Sequence, residues 1–315
     1  MCRIPRTLSA FDRASNRWAV VSLCDQAPSR PVAPAVGRQT LSLTTWNIQA
    51  SEYRSDERAG LILDHILEGH ALPDIVFLQE VTLNARKSLL HHPVVRSSFL
   101  TTDAEDTASF TGVDVPFKFA TMTLLSNRRF GPPLLTDESN KSEGGQGTDS
   151  PKLAVDSVFR TTFPSRYNRD ALCVDIAAPG APGTILRLLN VHLDSFDSQF
   201  RRTLEMRILA DLLREPGCSG GVVAGDFNAF TLLDHSLVDR HGLVDAWVAL
   251  RGATGGETWG VGMRPEFDAE RKPRRLDKVV MLSAQPRTID VLKPGLIGPR
   301  TPWSDHCGLH CTFAI

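Results

Sequence analysis

The feature that most constrains this chain is a set of short apolar runs that each stop at a residue preferring water. Asn47 follows the alternating, β-branched stretch from Leu41 to Trp46, and Glu80 follows Asp74 to Gln79. His192 follows Ile185 to Val191, and Asp226 and Asn228 follow Gly221 to Gly225. Asp277 comes after Arg275 and Leu276, and Asp305 and His306 after Pro302 to Ser304. Runs of this length, rich in β-branched residues and bounded by polar ones, read as strands covered on both faces. A carboxylate at the end of a buried strand needs a partner or a cation, because burying it alone is costly. One such end is ordinary. Six of them, all drawn from Asn, Asp, Glu and His, point to a shared site at strand ends, a common arrangement in α/β proteins.

Between these runs the pattern changes period. Arg58 to His70 carries Leu61, Ile62, Ile66 and Leu67 at helical spacing and is closed by Pro73. A second helix is expected over Asn84 to His91, and a third over Gln199 to Arg214, where Leu204, Ile208, Leu209, Leu212 and Leu213 share a face. Further strands are expected at Phe119 to Leu125, Ala171 to Ile176, Leu276 to Leu282 and after His306. No segment of 20 to 50 residues repeats. These elements imply one α/β domain over residues 41–315. The polar, Gly- and Ser-rich residues 137–152 are expected to be a disordered insertion.

Residues 1–40 read as an amino-terminal extension, partly disordered and set off by a Pro-rich joint at Ala27 to Pro34, with a short strand near Trp18. Six arginines stand here against Asp12 and Asp25, with no apolar core of a secretory signal. That composition is open to a mitochondrial transit peptide as well as to a plain extension.

The whole chain has 315 residues, 42% of them hydrophobic and 23% charged, enough for a packed core. Its net charge of −1 supplies no global field for a polyanion, so any nucleic-acid contact must be local. The densest basic run, Arg271 to Arg275, is either such a contact or solvated surface. No stretch approaches the roughly 20 apolar residues a membrane span needs. The six cysteines are scattered without C-x-x-C spacing, as expected of reduced intracellular thiols. Separately, the protein is expected to be a monomer.

The residue types suit phosphate ester hydrolysis, which needs neutralised phosphoryl oxygens, an oriented water and help for the leaving oxygen. Hard oxygen donors such as Glu80 suit Mg²⁺ or Mn²⁺, and the lack of Cys-His clusters argues against zinc. Asp226 can take a proton from water, and Asn228 and His192 can donate to phosphate oxygens. His306 paired with Asp277 can be held as a cation. Trp259 stands either against a nucleic-acid base or in the core. Arg202 and Glu205, on the helix after His192, either reach the site or face solvent. Trp259 and Arg202 are taken as substrate-binding.

Thr45 to Ile48, Leu78 to Val81, Asn190 to Ser195, Gly225 to Asn228 and Ser304 to His306 together resemble the signature blocks of the endonuclease/exonuclease/phosphatase superfamily, in that family's order. Within it, Glu257-Thr258-Trp259 ahead of Arg275 to Lys278, and Ser304 to Leu309, resemble the tyrosyl-DNA phosphodiesterase 2 subfamily. Two blocks depart from that subfamily: Gly260 follows Trp259 in place of an acid, and Ala229-Phe230 replaces a charged pair. The resemblance implies a four-layer α/β sandwich, two stacked mixed sheets flanked by helices. It implies Glu80 as the main metal ligand, assisted by Asn47 and Asp305, for Mg²⁺ or Mn²⁺. It implies Asp226 as the group that orients or deprotonates water, Asn228 and His192 as phosphate ligands, and His306, oriented by Asp277, as the stabiliser of the transition state. The expected substrate is a DNA 5′ end linked to tyrosine, and the expected setting is DNA repair in the nucleus or mitochondrion. The same chemistry on abasic DNA, RNA, a phosphoinositide or sphingomyelin stays open, as does a binding protein that keeps the fold without catalysis.

Overall fold

The computed structural model describes residues 2–23, 39–69, 71–110, 118–132, 152–179, 181–261 and 272–315. In chain order the strands of the first half are β1 (Arg3–Pro5), β2 (Leu8–Asp12), β3 (Arg17–Val20), β4 (Thr40–Asn47), β5 (Ile75–Thr82), β6 (Phe99–Thr102), β7 (Phe119–Ser126) and β8 (Phe130–Gly131). Those of the second half are β9 (Leu153–Thr162), β10 (Asp170–Ala177), β11 (Ile185–His192), β12 (Cys218–Asp226), β13 (Val244–Asp245), β14 (Asp277–Leu282), β15 (Gln285–Leu292) and β16 (Gly308–Ala314). The helices are α1 (Ser55–Leu67), α2 (Leu83–His91), α3 (Pro93–Ser98), α4 (Gln199–Leu212), α5 (Leu232–Arg240) and α6 (Ala246–Arg251).

The strands form two eight-stranded mixed sheets. One runs β1-β9-β10-β11-β12-β14-β13 with β8 beside β9, and the other β15-β16-β4-β5-β7-β6-β2-β3. Period-two alternation sorts each central strand between two cores. Phe77 points inward with Leu43, Leu172, Val174, Leu188 and Val222, filling the space between the sheets. Its neighbours Val76 and Leu78 point outward to Ile62, Leu63 and Ile66 of α1 and Leu89 of α2. Leu189, Val191 and Val223 point to the opposite outside, against Met206, Leu209 and Leu212 of α4. The result is the four-layer sandwich expected from the sequence. Among the described residues, no helix is long and apolar enough to cross a membrane.

The amino-terminal segment departs from the expected extension. β1 pairs with β9 of one sheet, while β2 lies between β6 and β3 of the other. Leu8 and Ser9 are fully buried. Residues 3–20 therefore strap the two sheets together. Their arginines and short strands hid this, since edge strands carry a weak apolar signal. The Pro-rich joint and the insertion expected at 137–152 lie outside the described residues, Lys152 apart.

Candidate active site

Register gathers the polar strand ends at one rim. His192 pairs with Asp226 across β11 and β12, and Asp226 pairs with Asp277 across β12 and β14. The facing sheet brings Asn47 beside Gln79 at the ends of β4 and β5. The next residue, Glu80, takes a positive φ of 56° where the pairing of β5 with β7 shifts. That bulge re-aims the carboxylate toward the gap between the sheets. Gly225 allows the close approach of β12 to β11: its φ is 142°, and a Cβ there would stand 2.0 Å from the Val191 carbonyl oxygen.

Asn47 joins the two halves. Its Nδ2 donates to Glu80 Oε1 at 3.1 Å and to Asp226 Oδ2 at 3.0 Å. The Ala50 amide donates to the other Glu80 oxygen at 2.6 Å. On the far side of Asp226, His306 Nδ1 lies 2.8 Å from Asp277 Oδ2 while its Nε2 lies 3.8 Å from Asp226 Oδ2. His192 Nε2 stands 3.5 Å from Asp226 and 3.9 Å from Glu80. Asn228, with φ of 46°, donates its backbone N–H to Asp226 Oδ1 at 2.8 Å and its Nδ2 to the Leu193 carbonyl at 2.9 Å.

The two histidines are held in opposite charge states. Burial lowers the His306 pKa, but Asp277 and then Asp226 outweigh it and raise it to about 10. His192 is pushed well below the ordinary histidine value by burial, then by Arg169 and by His306. Asp226 is raised to about 7, first by burial and then by Asp277, against the opposing pull of His306. A neutral imidazole, an imidazolium and a proton-accepting carboxylate thus converge on one point.

The family model for the endonuclease/exonuclease/phosphatase family matches residues 44–306. The chain belongs to that family. Its members are phosphoester hydrolases, and they generally use divalent metals. No curated protein gives a significant match. Among solved structures, zebrafish (D. rerio) TDP2 complexed with single-strand DNA product is 20% identical, with TM-score 0.63 over 87% of this chain and 98% of that one. Truncated Caenorhabditis elegans TDP2 is 17% identical, with TM-score 0.60 over 88% and 98%. The catalytic domain of human Nocturnin with a bound sulfate anion is 19% identical, with TM-score 0.56 over 90% and 98%.

For a chain of the endonuclease/exonuclease/phosphatase family, the donor set fits a hard cation. One Asn47 amide nitrogen holds the Glu80 and Asp226 carboxylates about it at 3.1 and 3.0 Å, where a divalent ion would find oxygen donors from both. Asp226, Asp277 and His306 also offer ligand atoms within 4.8 Å of one another. There, however, His306 Nδ1 faces Asp277 at 2.8 Å, and a raised pKa favours a proton over a metal bond. The Glu80 side is therefore the better cation site.

The sequence-derived residues do not all converge. Asp305, expected to help Glu80, instead accepts the indole N–H of Trp259 at 3.2 Å. Trp259 is half-buried, bridges to Arg274 and His306, and meets Phe230 edge-on at 6.4 Å. Arg202 corrects the expectation of a substrate contact: it is 1% exposed and forks onto Asp234 at 2.9 Å through both Nε and Nη2. Its Nη1 donates to the Asp194 and Phe196 carbonyls, so its role is to pin α4, α5 and the His192 loop. In the basic run, Arg275 pairs with Asp245 at 2.7 Å and Arg274 donates to the Phe230 carbonyl, while Arg271 lies outside the described residues.

The sequence alone assigns no role to the other residues of the site, although Thr258 and Ser304 stand inside the motifs Glu257-Thr258-Trp259 and Ser304 to His306. Thr258 is fully buried and accepts the Leu276 and Asp277 amides, holding Asp277 against His306. Ser304 donates to the Asn47 carbonyl at 2.7 Å, tying the His306 loop to β4. Arg58 donates to five backbone carbonyls, those of Ile48, Gln49, Ser51, Tyr53 and Trp303. Its place within a helix pattern concealed it. Phe119 stacks on His192 at 6.0 Å, and Arg169 lies over Phe119 at 5.0 Å.

Proposed function

We propose that this protein hydrolyses a phosphodiester at a DNA 5′ end, the bond to a tyrosine or a related adduct, with Mg²⁺ or Mn²⁺ as cofactor. The observation that carries the hydrolytic reading is the convergence of Asp226 with neutral His192 on one side and with Asp277-paired His306 on the other. Glu80 would hold the metal, with Asn47 positioning its carboxylate through Nδ2; the ion, when bound, would neutralise charge on the phosphate and leaving oxygens.

Asp226, raised to about 7, accepts a proton from the attacking water near neutral pH. His306 remains a cation and faces the charge that develops on phosphorus-bound oxygens, while Asp277 keeps its ring fixed. His192 is neutral and Asn228 sits at the same rim, so both can bind phosphate without competing for a proton. A DNA end is favoured by the likeness to the TDP2 complex, whose DNA is a product, together with Trp259, bridged to His306, and Phe230, edge-on to it. This reading places the protein where DNA ends are repaired, the nucleus or the mitochondrion.

The test is release of p-nitrophenol from the p-nitrophenyl ester of thymidine 5′-monophosphate with Mg²⁺. Turnover is expected to vanish with EDTA and in Glu80→Ala. Robust turnover in EDTA would refute the metal reading. A panel with abasic DNA, RNA, phosphoinositide and sphingomyelin would show whether another ester is preferred, and inactivity on all of them would favour a binding protein.

A further inference from the structure

A cavity of about 270 Å³ opens beside His192, and Arg6, Lys118, Phe119, Tyr167 and Arg169 line it. Its cations come from three distant parts of the chain. Arg6 lies where the amino-terminal strap crosses from one sheet to the other, its amide held by the Val158 carbonyl at 2.8 Å. Its guanidinium donates to Asp106 at 2.6 Å and to Ser109 at 3.1 Å. Lys118 donates to the Ala108 carbonyl at 2.8 Å, so both cations grip the same turn and bring it against the cavity. Arg169 enters between the rings of Phe119 and Tyr167, 5.0 and 5.7 Å away. It donates to Ser195, its Nε has no partner, and it forms no ion pair among the described residues. Asp170, the one acid of the lining, is tied to Arg160 at 2.9 Å.

Arg6 is compensated by Asp106 and lies 3.9 Å from Asp103, and the one carboxylate of the lining is paired, so the cationic character comes from Arg169 with Lys118 beside it, next to the point where His192 meets Asp226. A cavity of that charge is suited to an anion rather than to an apolar group. We propose that it holds a second anionic group of the substrate, one linkage from the scissile phosphate, and that the amino-terminal strap belongs to the substrate site through Arg6. Lys118 and Arg169 face the anion. Arg6 is a positioning residue that holds the Asp106–Ser109 turn. The family model matches residues 44–306, so Arg6 alone of these residues is an addition to the matched region. The proposal rests on the reading that the scissile phosphate sits among His192, Asp226 and His306.

Three chromogenic esters test it: the p-nitrophenyl ester of thymidine 5′-monophosphate, the same ester with a 3′-phosphate, and the 5-nitrosalicylate ester, whose leaving group carries a carboxylate. The second places the extra anion on the nucleoside side and the third on the leaving-group side. The expected result is that one anionic ester exceeds the parent in kcat/KM by about tenfold, the size of one charge-assisted contact. That ratio should fall towards one in Lys118→Ala and Arg6→Ala, with Arg6→Lys in between. Because it compares substrates on one enzyme, the ratio is insensitive to a loss of folded protein. No preference for either anionic ester, or a preference that survives both alanine variants, would overturn the proposal. If none of the three is hydrolysed, the functional reading fails, and calorimetric binding of pyrophosphate against orthophosphate decides the cavity by itself. Tighter pyrophosphate binding that is lost in Lys118→Ala would uphold it, and equal affinities would overturn it.

Discussion

At the scale of single residues, the site depends on charge states that neighbours impose. His306 keeps its proton because Asp277 and Asp226 outweigh its burial. Removing Asp277's charge should therefore matter most where an ordinary imidazole is neutral. In Asp277→Asn, the His306 pKa falls, and the cation is lost as pH rises through a lower value. The pH–rate profile should show activity at pH 8 reduced relative to pH 6, whereas the parent stays flat across that window on its His306 limb. An unchanged alkaline limb would show that His306 need not be charged. His306→Ala should lower kcat by about 10² to 10⁴, the usual contribution of such a group, with a smaller change in KM. Asn47, Glu80, His192, Asp226 and Asn228 were legible as polar stops to apolar runs, whereas Asp277 opens β14 and His306 precedes β16, so these two were found as polar residues but at the start of a strand, not at its end. Asp305 and Arg202 were legible as polar residues too, but nothing in the sequence shows that an indole and a buried carboxylate claim them.

At the scale of elements, α4 does more than cover its sheet. Arg202 joins it to Asp234 of α5 and to the loop after His192. Breaking a buried ion pair of this kind costs about 3–5 kcal/mol, so Arg202→Ala should shift the denaturant midpoint strongly. Its kcat/KM per folded molecule should change less than in Glu80→Ala. One turn further on, Glu205 accepts the Asp194 amide while its Oε1 has no partner. Burial raises its pKa to about 7, ahead of the opposing Asp194 hydrogen bond. The folded pKa exceeds the unfolded one, so the stabilisation is complete below about 4.5 and is lost as pH rises through about 7. Glu205→Gln should therefore lose less melting temperature between pH 5 and pH 8 than the parent does. Equal losses would mean that Glu205 does not hold its proton in the folded state.

At the scale of the whole molecule, two sheets must meet at one rim for the site to exist. Gln79 Nε2 bonds Asn190 Oδ1 at 2.8 Å beneath the site, and the amino-terminal strap closes the sandwich at its edge. Deleting residues 2–23 removes the buried Leu8 and Ser9 and exposes the edges of β9 and β6. Lower melting temperature and aggregation are expected, checked by thermal unfolding and light scattering. A truncated chain with unchanged melting behaviour would show that the strap is dispensable for folding. By itself the sequence determined the central strands, the main helices and the polar strand ends, because apolar periodicity and the cost of burying polar groups are local rules. Only the tertiary structure decided that residues 3–20 join both sheets, that Arg202 is a strut, and that Thr258, Ser304, Arg58 and Arg169 shape the site. Those roles depend on which partner stands within hydrogen-bond distance, and the partners lie up to hundreds of positions away, as Arg58 and Trp303 do at 245.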